Sequence, residues 1–283
     1  MIMKLILMFF TVLIISACNG NNSSSESINK ETSIPFINSS YSNYYLHDTT
    51  SFTEGLLMHN GKLFESTGAT RDLPQTKSLF GTVNLKTGKI DVKVALDRNK
   101  YFGEGIVFLN EQVFQLTYKS RVGFVYDANT FEKIKQFTIP SKEGWGFTSD
   151  GTHLIMSDGT NKLTYLDPLS LQVTKTLFVT ENGYKKEKLN ELEYINGFVY
   201  ANIWMTNVIV KIDLNDGKVV GKLDLTAYVH DAKSIYPGAL EMNGIAYDSA
   251  NQKILITGKL WPKIYELNVD LKKQKRPKIV KKP

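Results

Sequence analysis

One unit recurs five times along this chain, and a strand-rich repeat of that length leaves few folds open. Each copy starts on a short strand, at Glu54-Gly55-Leu56-Leu57, Glu104-Gly105-Ile106-Val107, Trp145-Gly146-Phe147, Glu191-Leu192-Glu193-Tyr194 and Asn243-Gly244-Ile245-Ala246. A turn follows, rich in residues that tolerate positive φ: Asn60-Gly61, Asn110-Glu111, Asp150-Gly151, Asn196-Gly197, and Asp248 to Asn251. Such pairs close two-residue hairpins. A second apolar strand comes next, and the third strands end alike, in Val83-Asn84, Tyr126-Asp127, Leu166-Asp167, Ile212-Asp213 and Tyr265-Glu266. Four copies carry a fourth strand: Ile90 to Leu96, Phe131 to Ile139, Val173 to Val179, and Val219 to Leu225.

Four-stranded units of about 40 to 53 residues are the blades of a β-propeller. The expected fold is all-β, a five-bladed propeller with four-stranded blades, over residues 41–270. The fifth copy lacks its outer strand because the chain turns into a basic tail. That would leave an open sheet edge, an aggregation hazard. Tyr41 to Leu46, ahead of the first blade, is expected to fill the place and close the ring. A β-sandwich is the competing fold, and the near-equal repeats argue against it.

The ends of the chain read differently from its middle. An apolar run from Leu5 to Ile15 behind Lys4 is too short to span a bilayer but suits a signal peptide over residues 1–17. Ile15-Ser16-Ala17-Cys18 resembles a bacterial lipobox, so Cys18 is the expected lipidation site. The protein is then expected to be exported and anchored to a bacterial membrane, facing the periplasm or the cell surface. Cys18 is the one cysteine among 283 residues, which excludes a disulfide or a thiolate metal cluster. Residues 18–40 begin with the polar stretch Asn19 to Ser27 and are expected to be a flexible tether. The net charge of +6 is concentrated in residues 271–283, where Lys272, Lys273, Lys275, Arg276, Lys278, Lys281 and Lys282 occur without an acid. Without those seven the body is close to neutral, so no basic face for nucleic acid is expected. The tail reads as a solvated, disordered end or as a weak contact with anionic lipid. A monomer is expected.

In a propeller the first strand of each blade is innermost and the second runs antiparallel beside it. Residues entering the first strand and leaving the second therefore meet on one face, near the axis. The entering set includes Phe52, Glu54, Phe102, Glu104, Trp145, Asn190, Glu191 and Asn243. The leaving set includes Tyr118, Asp158, Trp204, Lys259 and Trp261. All three tryptophans fall in these sets. Aromatic walls around a few convergent polar groups describe a small-ligand pocket, though such aromatics can also merely plug the channel.

Several runs on this face resemble the plant-latex type of glutaminyl cyclase. They are Phe52-Thr53-Glu54-Gly55-Leu56, Tyr101-Phe102-Gly103-Glu104-Gly105, Gly144-Trp145-Gly146, Leu189 through Gly197, Ala201-Asn202-Ile203-Trp204, and Thr257-Gly258-Lys259-Leu260-Trp261-Pro262-Lys263. The resemblance runs in order from about Phe52 to Leu267. It implies a five-bladed propeller that converts an N-terminal glutamine of peptides or proteins into pyroglutamate with release of ammonia, and no metal or other cofactor. Carried over by position, it implies Glu104 as the acid/base, Lys259 as the group polarising the amide carbonyl, and Phe102, Trp145, Asn190 and Trp204 as pocket lining. Two positions depart from the family pattern: Glu54 stands where the family has glutamine, and Tyr118 where it has tryptophan. Both can still bond or stack, so Phe52, Glu54 and Tyr118 join the expected substrate-binding set.

The residues themselves leave some roles open. Glu54 could raise the proton affinity of Glu104 and hold an incoming ammonium, or cap a strand N–H. Lys259 could serve an oxyanion or pair with an axial glutamate. Glu54, Glu104, Asn190, Asn243 and Asp158 could also ring a calcium ion, as in a lactonase-like propeller hydrolase. A non-catalytic binding propeller on the cell surface is the third reading.

Overall fold

The computed structural model describes residues 33–271. The expected signal peptide, Cys18, the tether up to residue 32 and the basic residues from Lys272 onward lie outside the described residues. Within them, five four-stranded antiparallel sheets follow one another as the blades of a propeller. Blade 1 comprises Thr53–His59, Lys62–Thr67, Leu79–Val83 and Ile90–Ala95. Blade 2 comprises Gly103–Leu109, Gln112–Thr117, Val122–Asp127 and Lys133–Thr138. Blade 3 comprises Phe147–Ser149, Leu154–Met156, Lys162–Leu166 and Val173–Phe178, and blade 4 Leu189–Ile195, Phe198–Ile203, Val208–Asp213 and Val219–Asp224. Blade 5 has Met242–Asp248, Lys253–Gly258 and Lys263–Val269, and Ser39–Leu46 pairs with the last of these as its outer strand.

The repeat's residue choices have local causes. Asn60 and Gly61, like Asn196 and Gly197, all take positive φ, the geometry of the first hairpin turn. The Asn or Asp that ends each of the first four third strands turns back onto the chain. Asn84, Asp127, Asp167 and Asp213 each accept a backbone N–H two residues on, which forms the turn into the fourth strand. Blade 5 has no such turn, and there Glu266 accepts instead from Ser42 Oγ and Tyr45 Oη of the closing strand, at 2.9 and 2.8 Å. The last repeat departs from the others because its neighbour is a different piece of chain.

The expectation of a tether through residue 40 is corrected at its end. Ser39 and Ser40 are already paired with Val269 and Asn268, and Phe36 bridges to Lys222 at the edge of blade 4. Apolar side chains here, Ile37 among them, pack on the blade 4/5 core. Two further elements lie outside the repeat: a hairpin at Thr180–Glu181 and Tyr184–Lys185, and a helix at Thr226–Ile235. The helix buries Val229 and Ala232 and anchors through Asp231, which accepts from Lys263 Nζ and Tyr265 Oη.

The core consists of five apolar layers, one between each pair of adjacent blades. Phe80, Phe114 and Trp261 are fully buried in them. At two places near the axis the backbones approach too closely for a side chain. A methyl on Gly105 would stand 2.6 Å from Phe147 N, and one on Gly146 would stand 2.1 Å from Asn190 O. Blade 4 has Glu191 where the other four carry Gly55, Gly105, Gly146 and Gly244. The Glu191 carboxyl lies across the axis and accepts from Leu56 N of blade 1 and Ile245 N of blade 5, at 3.2 and 2.8 Å.

The seam between blades 5 and 1 has its own fastening. His47 Nδ1 lies 2.7 Å from Trp261 O, and Nε2 lies 3.0 and 3.1 Å from the two oxygens of Glu65. Both partners are acceptors, so both ring nitrogens donate and the ring is an imidazolium. Burial works against that charge, but the Glu65 carboxylate outweighs it and holds His47 above its ordinary value. A raised histidine contributes stability below its unfolded value of about 6.5, and that contribution is lost as pH rises through the folded value. The urea midpoint of the wild type should therefore fall between neutral and mildly alkaline pH. His47→Gln should lower stability by about 3 kcal/mol below neutrality and flatten this fall. An equal pH dependence in both proteins would remove the fastening from His47.

Candidate active site

Each functional side chain sits where an inner strand begins or its neighbour ends. The ladder register slips at these places: between Thr53 and Gly55, Gly103 and Ile106, Leu189 and Leu192, and Met242 and Ile245. The residues inside the slips are Glu54, Glu104 with Gly105, Asn190 with Glu191, and Asn243 with Gly244. A bulge turns its extra residue off the regular alternation of the strand. Here it places polar side chains at the axis, where a regular strand would put apolar ones.

The cup they form has a volume of about 220 Å³ and is lined by Phe52, Glu54, Phe102, Glu104, Tyr118, Trp145, Asn190, Trp204 and Lys259. All nine residues singled out in the sequence for catalysis or substrate binding are thus brought together. The volume is below the ~300 Å³ of drug-sized sites and suits a single residue of a longer ligand. Its wall is a continuous arc of rings. Phe52 meets Phe102 edge-on at 5.8 Å, Phe102 meets Tyr118 at 5.8 Å, Tyr118 meets Trp145 at 6.4 Å, and Trp145 meets Trp204 at 5.7 Å. Trp204, at 36% exposed, forms the outer lip.

Trp261 is not part of this wall, contrary to the expectation that all three tryptophans share the rim. It is fully buried, with Nε1 donating to Leu240 O and its ring against Tyr265. Leu260, with φ of 60°, turns the chain back so that Trp261 packs between blades.

The polar floor is asymmetric. Lys259 Nζ lies 2.9 Å from Glu54 Oε1 and 4.6 Å from the centre of the Phe52 ring. Asn243 Nδ2 donates to Glu54 Oε2 at 2.9 Å. Of the two roles open for Glu54, capping a strand N–H is not what its side chain does. The Glu104 carboxyl has no hydrogen-bond partner among the described residues; burial, then the nearby charge of Glu54, pushes it well above the usual carboxylate range, against the pull of Lys259. Burial pushes Glu54 up to about 7, although Lys259 opposes the rise. Burial disfavours the Lys259 ammonium, but Glu54 and Glu104 more than offset this and hold it above the ordinary lysine value. Asn190 Oδ1 is buried in the wall without a partner.

Neighbouring acids serve the scaffold instead. Glu191 and Glu193 both accept backbone N–H groups of blade 5. Asp158, a candidate in the expected ring of cation ligands, accepts from Thr160 and lines a groove next to the cup, not the cup itself. The other four candidates lie in or against the cup, but there the positive charge on Glu54 is the Lys259 ammonium, so the five do not form one ring. Two residues at the same strand ends support Trp145. Glu143 accepts from its Nε1 at 3.0 Å, and Gly159, at φ of 77°, lies so close that a methyl there would stand 2.7 Å from the ring.

Fold and cup together define a five-bladed propeller with buried carboxyls, one ammonium and an aromatic wall at one end of its axis. The glutamine cyclotransferase family model matches residues 11–269. A glutaminyl-peptide cyclotransferase of Arabidopsis thaliana is 42% identical over 225 residues, covering 79% of this chain and 68% of the plant protein. The crystal structure of Myxococcus xanthus glutaminyl cyclase superposes with a TM-score of 0.75 at 30% identity, over 83% of this chain and 98% of that one. The chain belongs to the glutamine cyclotransferase family.

The support of Trp145 by Gly159 can be tested through fluorescence. Gly159→Ala should displace the ring and make tryptophan emission more accessible to acrylamide, with the melting temperature within a few degrees of wild type. Unchanged quenching would show that the ring does not depend on this contact.

Proposed function

We propose that this protein is a metal-independent glutaminyl-peptide cyclotransferase, with Glu104 as the acid/base and Lys259 as the group that polarises the amide. The observation that carries the reading is the unpartnered, proton-loving Glu104 carboxyl in a cup sized for one residue and floored by a fixed ammonium.

The N-terminal glutamine already contains nucleophile and electrophile, so the main task is to hold it folded back with its amine against its own δ-carbon. The aromatic arc packs against the methylenes and keeps out water, which would otherwise hydrolyse the amide. The α-ammonium of an ordinary peptide titrates near 7.7–8.0, and burial raises Glu104 in that direction. A carboxyl whose proton affinity is raised by burial takes a proton more readily than an ordinary carboxylate would, which suits a group that must both take and give back a proton.

Glu104 takes one proton from the ammonium, and the amine attacks the δ-carbon, forming the ring C–N bond. Negative charge grows on the amide oxygen, where Lys259 and the Asn190 amide can stabilise it; such a donor is typically worth about 3–4 kcal/mol. Glu104 then protonates the leaving nitrogen, and the C–NH₂ bond breaks to release ammonia. The ring nitrogen sheds its remaining extra proton through Glu104 to ammonia or water. Two protons leave the α-nitrogen in all, and no acyl-enzyme is required.

Incubation with a Gln-peptide should release ammonia and give a product lighter by one NH₃, equally with and without EDTA. No turnover by the folded protein would leave a binding propeller as the better reading. Glu104→Gln should lower kcat by about 10²–10⁴ with peptide binding retained, and a wild-type rate would remove the acid/base role. Lys259→Ala should lower kcat by about 10²–10³; a change confined to KM would make the lysine a binding group only.

A further inference from the structure

Lys259 does not stand free in the cup. Its side chain is buried, its ammonium faces the Phe52 ring, and its one hydrogen-bonded counter-charge among the described residues is Glu54 Oε1 at 2.9 Å. The other Glu54 oxygen is fixed by Asn243, whose Nδ2 also donates to Thr53 O at 3.0 Å. Glu54 itself sits in the bulge of the blade 1 inner strand, so its direction is set by backbone as well as by these partners. A buried ammonium without a paired anion gives up its proton, and a carboxyl facing a second carboxylate binds a proton more tightly.

We propose that Glu54 is a positioning residue that sets the charge state of the cup. It clamps Lys259 as an ammonium beneath the substrate amide, and its negative charge keeps the facing Glu104 able to hold a proton at working pH. This rests on the proposed cyclotransferase reading for its kinetic consequences, but the charge state itself is measurable without turnover.

The other charged groups facing these three are few. Glu241, just ahead of the blade 5 inner strand, faces both Glu54 and Lys259. Glu143, ahead of blade 3, faces Glu104. Glu191, on blade 4, feels the charge of Glu54. Among the described residues none of their carboxyls is bonded to the Lys259 ammonium, although the Glu241 carbonyl accepts from Lys259 N–H at 2.9 Å, and the Glu191 oxygens are both engaged by backbone N–H groups. Glu54 is thus the carboxylate through which the lysine and the acid/base are coupled. It occupies a position where the family carries an uncharged glutamine, so a Glu54→Gln protein should fold and turn over. With the charge removed, Lys259 would lose its proton at lower pH and Glu104 would ionise at lower pH.

The test is the pH profile of kcat for a Gln-peptide in wild type, Glu54→Gln and Glu54→Asp. Both limbs should move to lower pH by about one pH unit or more in Glu54→Gln, while Glu54→Asp, which keeps the charge, should stay near wild type. A Glu54→Gln profile that falls in height but does not move would overturn the proposal, because loss of packing alone cannot shift both limbs. Should the wild type show no turnover, NMR titration of the Lys259 ¹³Cε signal separates the two ideas. In wild type it should keep its ammonium shift beyond the ordinary lysine value of about 10.4, and in Glu54→Gln it should titrate earlier. A wild-type Lys259 that titrates at or below the ordinary value would overturn the proposal whatever the enzyme's activity, and needs no variant to fold.

Discussion

The structure depends on how closely five inner strands can approach one axis. Gly105 and Gly146 lie against the backbone of the next blade at distances that no Cβ tolerates. Blade 4 interrupts this pattern, and the Glu191 carboxyl there satisfies backbone N–H groups of blades 1 and 5 together. A carboxyl buried this deeply is pushed well above its usual range by burial, and also by Glu193 and Glu54, with its two backbone donors pulling the other way. It is nonetheless kept, since two inner-strand amides would otherwise lose their partners, each at a cost of about 1–3 kcal/mol. His47 does for the outer seam what Glu191 does for the axis, binding blade 5 through Trp261 O and blade 1 through Glu65.

The cup is a by-product of that crowding. Strands converging on an axis cannot all keep a regular ladder, and four of the five slip register at the same end. The slips deliver Glu54, Glu104 and Asn190 into the cup and Asn243 beside it, all at buried positions. Poor solvation supplies the chemistry: it lifts the unpaired Glu104 and forces Lys259 and Glu54 into contact. The rings that exclude water sit on the flanking residues, just before the inner strands or just after the second ones. One geometric constraint therefore produces both the polar floor and the apolar wall.

Much of this was legible before any coordinates. The turn residues, the strand lengths and the Asn or Asp closing the first four third strands act locally, through φ preferences and short-range hydrogen bonds, so the blades could be counted from them. The missing outer strand of the last blade and its replacement by the segment near Tyr41 followed from the need to cover a sheet edge. Knowing which strand ends face the axis gave a wider set of rim residues, and the family resemblance narrowed that set to the nine of the cup. The helix at Thr226–Ile235 was less visible, since it falls inside a connection between repeats and buries only two of its residues.

What the sequence determined by itself is the architecture and the set of strand ends that meet near the axis, because both follow from periodic local signals counted along the chain; the family resemblance then picked the members of the site out of that set. Only the tertiary structure decided which members touch. That Lys259 binds Glu54 and leaves Glu104 unpartnered, that Trp261 turns away into the core, and that Glu191 spans the axis are outcomes of side chains from different blades competing for the same few ångströms. Distances of that kind depend on bulges and on the closure of the ring, and neither is encoded in any one repeat.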